Sequence, residues 1–159
     1  MSTQDDPDYM VRKPEVDEAL SVHQLIERHA QQKLMLPRTT AEIYENLRDF
    51  FVCVADGSVV GCGALHLWSD LAEIRSLAVD ESYRNRDIGT RIVRACIEDA
   101  KRLHVREIFV LTYQPGFFER LGFHRVSKER FPHKIWNECV KCPKFPDCDE
   151  IALAIELRQ

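Results

Sequence analysis

The spacing of apolar and polar positions changes period several times along the chain, and each change marks an element. Tyr9 to Lys13 reads as a short strand. Pro14 then opens a segment in which Val16, Ala19, Leu20, His23 and Ile26 share one helical face. That helix ends before Leu36-Pro37, because the residue ahead of a proline is driven out of the helical region. A second, short helix fits Thr40 to Arg48, with Thr40 as its cap and Ile43 and Leu47 four residues apart. Two β-rich runs follow, Phe50 to Ala55 and Ser58 to Trp68, joined by Asp56-Gly57, a dipeptide that accepts the positive φ of a tight hairpin. Leu71 to Val79 is a further strand. After the polar stretch 80–87, Gly89, Ile92, Val93, Cys96, Ile97, Ala100 and Leu103 repeat at helical spacing. Glu107 to Thr112 is strand-like, Gly116 to Leu121 a short helical turn, Phe123 to Val126 a strand start, and Ile151 to Leu157 a last strand. A hairpin followed by strand, helix, strand, helix, strand implies an α/β chain with a mixed sheet covered by helices, since parallel neighbours need a crossover connection.

Composition narrows the partner. The 159 residues suit one domain, expected over 1–159 with 1–8 as a flexible segment, and 45% apolar with 30% charged residues is the balance of a chain that folds unaided. A formal charge of −4 argues against a broad nucleic-acid surface and leaves a small ligand as the expected partner. No apolar run approaches the roughly 20 residues that span a bilayer, and the opening MSTQDDPD has neither the basic start nor the apolar core of a signal peptide. No membrane association and a cytoplasmic location are therefore expected, where cysteines stay reduced.

The segment LAVDESYRNRDIGTRIV, 77–93, carries the most chemistry. Arg84, Arg86 and Gly89 sit where a long helix begins, and helix starts attract anions because their first amides lack internal partners and the macrodipole is positive there. Arginine adds forked donors for phosphate oxygens, and glycine allows close approach of backbone to ligand. A pyrophosphate is a suitable guest.

This segment resembles the acyl-CoA signature of the GCN5-related N-acetyltransferase (GNAT) superfamily, with Leu77, Val79, Arg84 and Gly89 in place and Asp87 where the signature has its first glycine. FFERLGF, 117–123, is similar to the helix and strand after the superfamily's fifth strand. The resemblance implies a mostly antiparallel mixed sheet whose fourth and fifth strands, here 71–79 and 107–112, splay apart. It implies acetyl-CoA as cosubstrate, held by Leu77, Ala78 and Val79 along the pantetheine and by Arg84, Arg86, Asp87, Ile88, Gly89 and Thr90 at the pyrophosphate. The thioester would then lie near Ser76 and Leu77. Members of the superfamily often dimerise, so a homodimer is a further expectation.

LPRT at 36–39, LAEIRSLAV at 71–79, LTYQPGFFERLGF at 111–123 and FPHKIWNECVKCPKFPDCDEIAL at 131–153 together resemble the short, stand-alone N-acetylglutamate synthase type. That resemblance implies L-glutamate as acceptor, in the first step of arginine synthesis. Chemistry adds a requirement of its own: an ammonium must lose a proton before its nitrogen attacks, so a base is needed. Glu73 is the candidate, on the strand bordering the thioester and, by alternation, on one face with Arg75. Two substrate carboxylates call for forked cations. Arg38 in LPRT matches a carboxylate-binding arginine of the family; Arg75, Ser76 and, more weakly, Arg12 and Lys134 are further candidates. Where relatives place an acid tyrosine this chain has Phe118, and the resemblance turns instead to Thr112, with Tyr113 beside it.

Cys139, Cys142 and Cys148 have the spacing of half a zinc site without an obvious fourth ligand, though His124, His133 or Asp149 stand near in sequence; burial or a disulfide explains the cysteines as well, and the favoured reading has no metal. Cys53, Cys62 and Cys96 read as core, and no cysteine stands beside a histidine as a nucleophile would. Two other functions remain open: acetylation of another small amine, amino acid or protein amine, and a catalytically weak acyl-CoA-binding or regulatory domain.

Overall fold

In the computed structural model, which describes residues 8–131 and 150–157, the elements in chain order are β1 (Tyr9–Arg12), α1 (Ala19–Gln31), α2 (Thr40–Glu45), β2 (Phe50–Ala55), β3 (Ser58–Trp68), β4 (Leu71–Val79), α3 (Ile88–Arg102), β5 (Glu107–Thr112), α4 (Pro115–Glu119), β6 (His124–Arg125) and β7 (Ile151–Glu156). The strands form one seven-stranded sheet in the order β1-β2-β3-β4-β5-β7-β6. Every neighbouring pair is antiparallel except β4 and β5, which α3 connects as a parallel crossover. The expected α/β fold and its mixed, mostly antiparallel sheet are present.

The hairpins follow from local chemistry. Asp56 and Gly57 both take positive φ at the β2–β3 turn. Ser69 does so at the two-residue β3–β4 turn, which pairs Trp68 with Leu71 and so fixes the register inward to His66 opposite Glu73.

Helices cover both faces. On one, α3 presents Ile88, Ile92, Val93, Cys96 and Ala100 to the sheet. Its close approach needs Gly61 and Gly63, because a Cβ at either would stand 2.8 Å from Ile88 Cγ2 or Ile92 Cγ2. On the other face, α1 buries Ala19, Val22, Leu25 and Ile26. The expected α1 face was rotated: Val16 and Leu20 are exposed, since Val16 precedes the helix in a short 3-10 turn and the sheet is met by residues 19, 22, 25 and 26. His23 lies beside that face, partly exposed. Leu103, just past α3, is exposed as well. The α2 cap is Thr39 rather than Thr40; its hydroxyl accepts the Glu42 amide, and the Glu42 carboxylate accepts the Thr39 amide in a capping box. Cys53, Cys62 and Cys96 are buried core residues as expected.

Gly63→Ala is expected to cost about 1–3 kcal/mol, since the added methyl meets the β-branch of Ile92 in a filled core. Thermal denaturation of the ligand-free protein measures it. An unchanged melting temperature would mean that α3 packs less tightly on β3 than these distances require.

Candidate active site

The sheet opens where β4 and β5 part. They pair only at Leu71–Glu107, Ala72–Ile108 and Glu73–Phe109, after which β5 continues beside β7 while β4 runs on beside β3. Glu73 therefore stands at the apex of a splayed gap. Beyond it, Ser76 and Leu77 together face Gly63, a bulge in which Ser76 takes φ 57. Non-glycine residues are uncommon in that region. The Cys62 thiol, 3.5 Å away, donates to the Ser76 carbonyl from beneath. Burial pushes the Cys62 thiol up to about 12, so it stays protonated and able to donate, and the Cys96 thiol up to about 12 likewise. Neither suits a nucleophile.

Arg38, Arg75 and Ser76 line one narrow cleft with Glu42, Asn46, Asp49 and Ala64. Their burial is alike: the side chains of Arg38, Arg75 and Glu73 are 11%, 13% and 12% exposed. Glu73 Oε1 accepts Trp68 Nε1–H at 3.3 Å and lies 3.9 Å from Arg75 Nη1. Burial raises the Glu73 carboxyl above its ordinary range, while Arg75, the Trp68 hydrogen bond, Arg38 and His66 pull it back. Of the weaker candidates, Arg12 is held bidentately by Glu18, both contacts 2.8 Å, away from this cleft. Lys134, His133, Asp149 and the Cys139, Cys142 and Cys148 cluster lie outside the described residues. His124 is exposed on β6. Among the described residues, no group of three or more His, Cys, Asp or Glu is arranged to hold a metal.

Thr112 ends β5 on the α3 side of the gap, since alternation sets it with Val110 and sets Phe109 with Glu73. Its Oγ1 accepts the Gln114 amide at 2.9 Å, which leaves its own hydroxyl proton to give. Phe118 is buried against Phe117 and Phe123.

The turn from Arg84 to Thr90 sits at the start of α3. Asp87 is its N-cap at φ 61, exposed, with no hydrogen bond from its side chain to the helix amides. The signature glycine position is thus left-handed here too, a conformation aspartate tolerates better than most residues. The first intrahelical bond runs from the Arg91 amide to the Asp87 carbonyl, so the amides of Ile88, Gly89 and Thr90 have no helical acceptor. Gly89 packs against Phe117, whose Cζ would stand 3.3 Å from an added Cβ, tying the two sequence motifs together. The two arginines turn from the helix start: Arg84 lies 3.6 Å from Glu81, and Arg86 donates to Tyr9 Oη at 3.0 Å across the Tyr83 ring. The donors left over at the start of α3 are backbone amides rather than these guanidinium groups.

Sequence reasoning missed His66, Trp68, Asp49 and Tyr9. The signal for the first two was available, because counting back from the Ser69-Asp70 turn sets His66 opposite Glu73. Asp49 and Tyr9 reach their partners only through tertiary packing.

Comparison with known proteins agrees with this geometry. The acetyltransferase (GNAT) family matches residues 16–123. An uncharacterized N-acetyltransferase of Chlorobaculum tepidum is 43% identical over 92% of this chain and 95% of its own length. An amino-acid acetyltransferase of Mycobacterium tuberculosis is 35% identical over 81% of this chain and 76% of its own. The structure of Rv2747 from that organism, in complex with CoA and NLQ, superposes with a TM-score of 0.80 at 30% identity, covering 94% of this chain and 99% of that one. N-acetylglutamate synthase from Neisseria gonorrhoeae, complexed with coenzyme A and N-acetyl-glutamate, shares the fold at a TM-score of 0.87 and 20% identity over 97% of this chain and 36% of its own. No described helix is long and apolar enough to cross a membrane. With the parted strands, the bulge and the helix start all in place, the chain belongs to the acetyltransferase (GNAT) family and is an N-acetyltransferase that uses acetyl-CoA.

Proposed function

We propose that the chain acetylates the α-amino group of L-glutamate by direct transfer, which would place it in arginine synthesis. The observation that carries this reading is the convergence of Arg38 and Arg75 on one cleft ending at Ser76, beside Glu73. A substrate with two carboxylates needs two cations, and Arg38 and Arg75 supply two forked ones at this cleft. The name of the M. tuberculosis relative, amino-acid acetyltransferase, supports an amino acid as acceptor.

The cosubstrate supplies an activated acetyl thioester, and the chain does the rest. The amides of Ile88, Gly89 and Thr90 receive the pyrophosphate, and the edge of β4 from Leu77 to Val79 pairs with the pantetheine amides. Arg38 and Arg75 orient the acceptor, and Glu73 takes the ammonium proton. The Leu77 amide, at the bulge, donates to the thioester oxygen as charge grows on it. Thr112 offers its proton to the departing thiolate. No covalent enzyme intermediate is needed.

The test is thiol release from acetyl-CoA on adding L-glutamate, against a panel of other amino acids, small amines and peptide N-termini. Release confined to glutamate is the expected result. Release with another acceptor moves the substrate assignment, and acetyl-CoA binding without release to any amine makes the chain a binding module.

Asp87 sets an opposed pair of effects. Asp87→Asn keeps the tolerance for positive φ and removes a carboxylate from the helix start, so acetyl-CoA affinity is expected to rise by about two- to tenfold. The ligand-free protein loses a few tenths of a kcal/mol, roughly, because the carboxylate favours the helix dipole. Calorimetric titration and thermal melting separate the two; unchanged affinity would mean that the carboxylate turns away from the bound phosphate.

A further inference from the structure

Glu73 has a neighbour that the proposed reaction does not use. His66 on β3 is directly opposite it in an antiparallel pair, where facing side chains share a face with Cβ atoms about 4.5–5.5 Å apart. His66 Nδ1 lies 3.1 Å from Asp49 Oδ2. Its ring meets Trp68 edge-on at 4.9 Å, and the same indole donates to Glu73 Oε1. Arg75 also approaches through Oε1.

Acetyl transfer strips two protons from the acceptor nitrogen, one to free the lone pair and one as the amide forms. The departing thiolate takes one by way of the Thr112 hydroxyl, which regains a proton as the nitrogen gives its second one up; the other must leave the site. Glu73 is poorly placed to release it to water, being 12% exposed, while His66 is 24% exposed.

We propose that His66, oriented by Asp49, is the proton outlet of Glu73. The Glu73 carboxylic acid gives its proton, directly or through one water, to the imidazole Nε2 and becomes carboxylate again. Nδ1–H points at Asp49, whose charge offsets the imidazolium, and the imidazolium then releases the proton to solvent. Imidazole suits the step because it can take a proton on one ring nitrogen while the other stays bonded to its orienting partner. Among the described residues, the charged groups around the pair are Asp49 ahead of β2, Arg75 on β4, and Arg38 and Glu42 at the start of α2, with Glu107 and Arg130 further along the strands. Among the described residues, Trp68, Phe109 and Phe131 add apolar surface on this side of the sheet. His66 acts through Glu73 and is thus a positioning residue rather than one that touches the acceptor.

This inference rests on Glu73 as the base, and the test separates the two. His66→Gln is expected to lower kcat by about tenfold, the lower end of what proton-transfer groups contribute, with the KM for acetyl-CoA unchanged. Added imidazole restores most of the loss. Asp49→Asn loses less, and it serves if His66→Gln does not fold. In parallel, the carboxyl carbon of Glu73 is followed by NMR against pH without substrate. The wild type shows two coupled inflections and His66→Gln shows one, displaced to higher pH. A loss that imidazole does not touch, or an identical carboxyl titration in both proteins, overturns the outlet. If the wild type releases no thiol with any amine, the proposed function fails, and the carboxyl titration still decides whether His66 and Glu73 exchange influence.

Discussion

Glu73→Gln lowers kcat/KM for the acceptor by about 10²–10⁴-fold and leaves the KM for acetyl-CoA unchanged, because glutamine keeps the shape and an oxygen for Trp68 Nε1–H but cannot take a proton. The pH profile carries the sign. Burial holds the Glu73 carboxyl above its ordinary value of 4.5, so the wild-type acid limb lies above that value and disappears in the variant. Stability moves the opposite way. A carboxyl that holds its proton more tightly when folded contributes stability that is fully present below the unfolded value and is lost as pH rises through the folded one. Glutamine does not ionise, so Glu73→Gln melts above the wild type at neutral pH and the difference closes in acid. Steady-state rates and melting curves at both ends of that range measure the pair of effects. A loss below tenfold, or an acid limb that persists in the variant, removes Glu73 from the role of base.

The second large effect concerns stability alone. Glu107 is the buried charged residue of the described part of the chain, at the start of β5, and Arg130 from the turn after β6 holds its Oε2. Arg106 lies 3.9 Å from the other oxygen, too far to replace that bond. Next to Arg130, Phe131 stacks on Phe109 with ring centroids 4.4 Å apart, so residues 130 and 131 together clamp this segment onto β5. Arg130→Ala strands a buried carboxylate and is expected to cost about 2–3 kcal/mol, less than a fully buried pair would because Arg130 itself is partly exposed. For a domain of this size that is roughly 5–10 °C in melting temperature. Adding Glu107→Gln should recover part of the loss, since the cost is mainly the unpaired charge. A double variant no more stable than Arg130→Ala would show that packing at Phe131, not the ion pair, fastens the segment.

Period and punctuation in the sequence determined most of the fold. Asp56-Gly57 marked its hairpin, the run from Ile88 to Ala100 its helix, and L-x-V followed by Arg84 and Gly89 the family, because each is a local demand on backbone conformation or on one face of one element. The same residues put Glu73, Arg75 and Arg38 among the candidates by chemistry and resemblance. Local pattern misjudged α1, where Val16 and Leu20 matched the helical period as well as Val22 and Leu25 did, and only the sheet's position decides which stripe is covered. It likewise took Thr40 for Thr39, since either hydroxyl can cap and the geometry of one residue settles it. What tertiary structure alone decided is the company each side chain keeps. Asp49 reaches His66 from the turn ahead of β2, Arg86 turns to Tyr9 instead of the helix start, and Gly89 makes room for Phe117 rather than for a ligand alone. These contacts join residues 17, 77 and 28 positions apart, and no local preference specifies them; they arise because a sheet brings distant strands to one edge and burial then fixes which groups must meet.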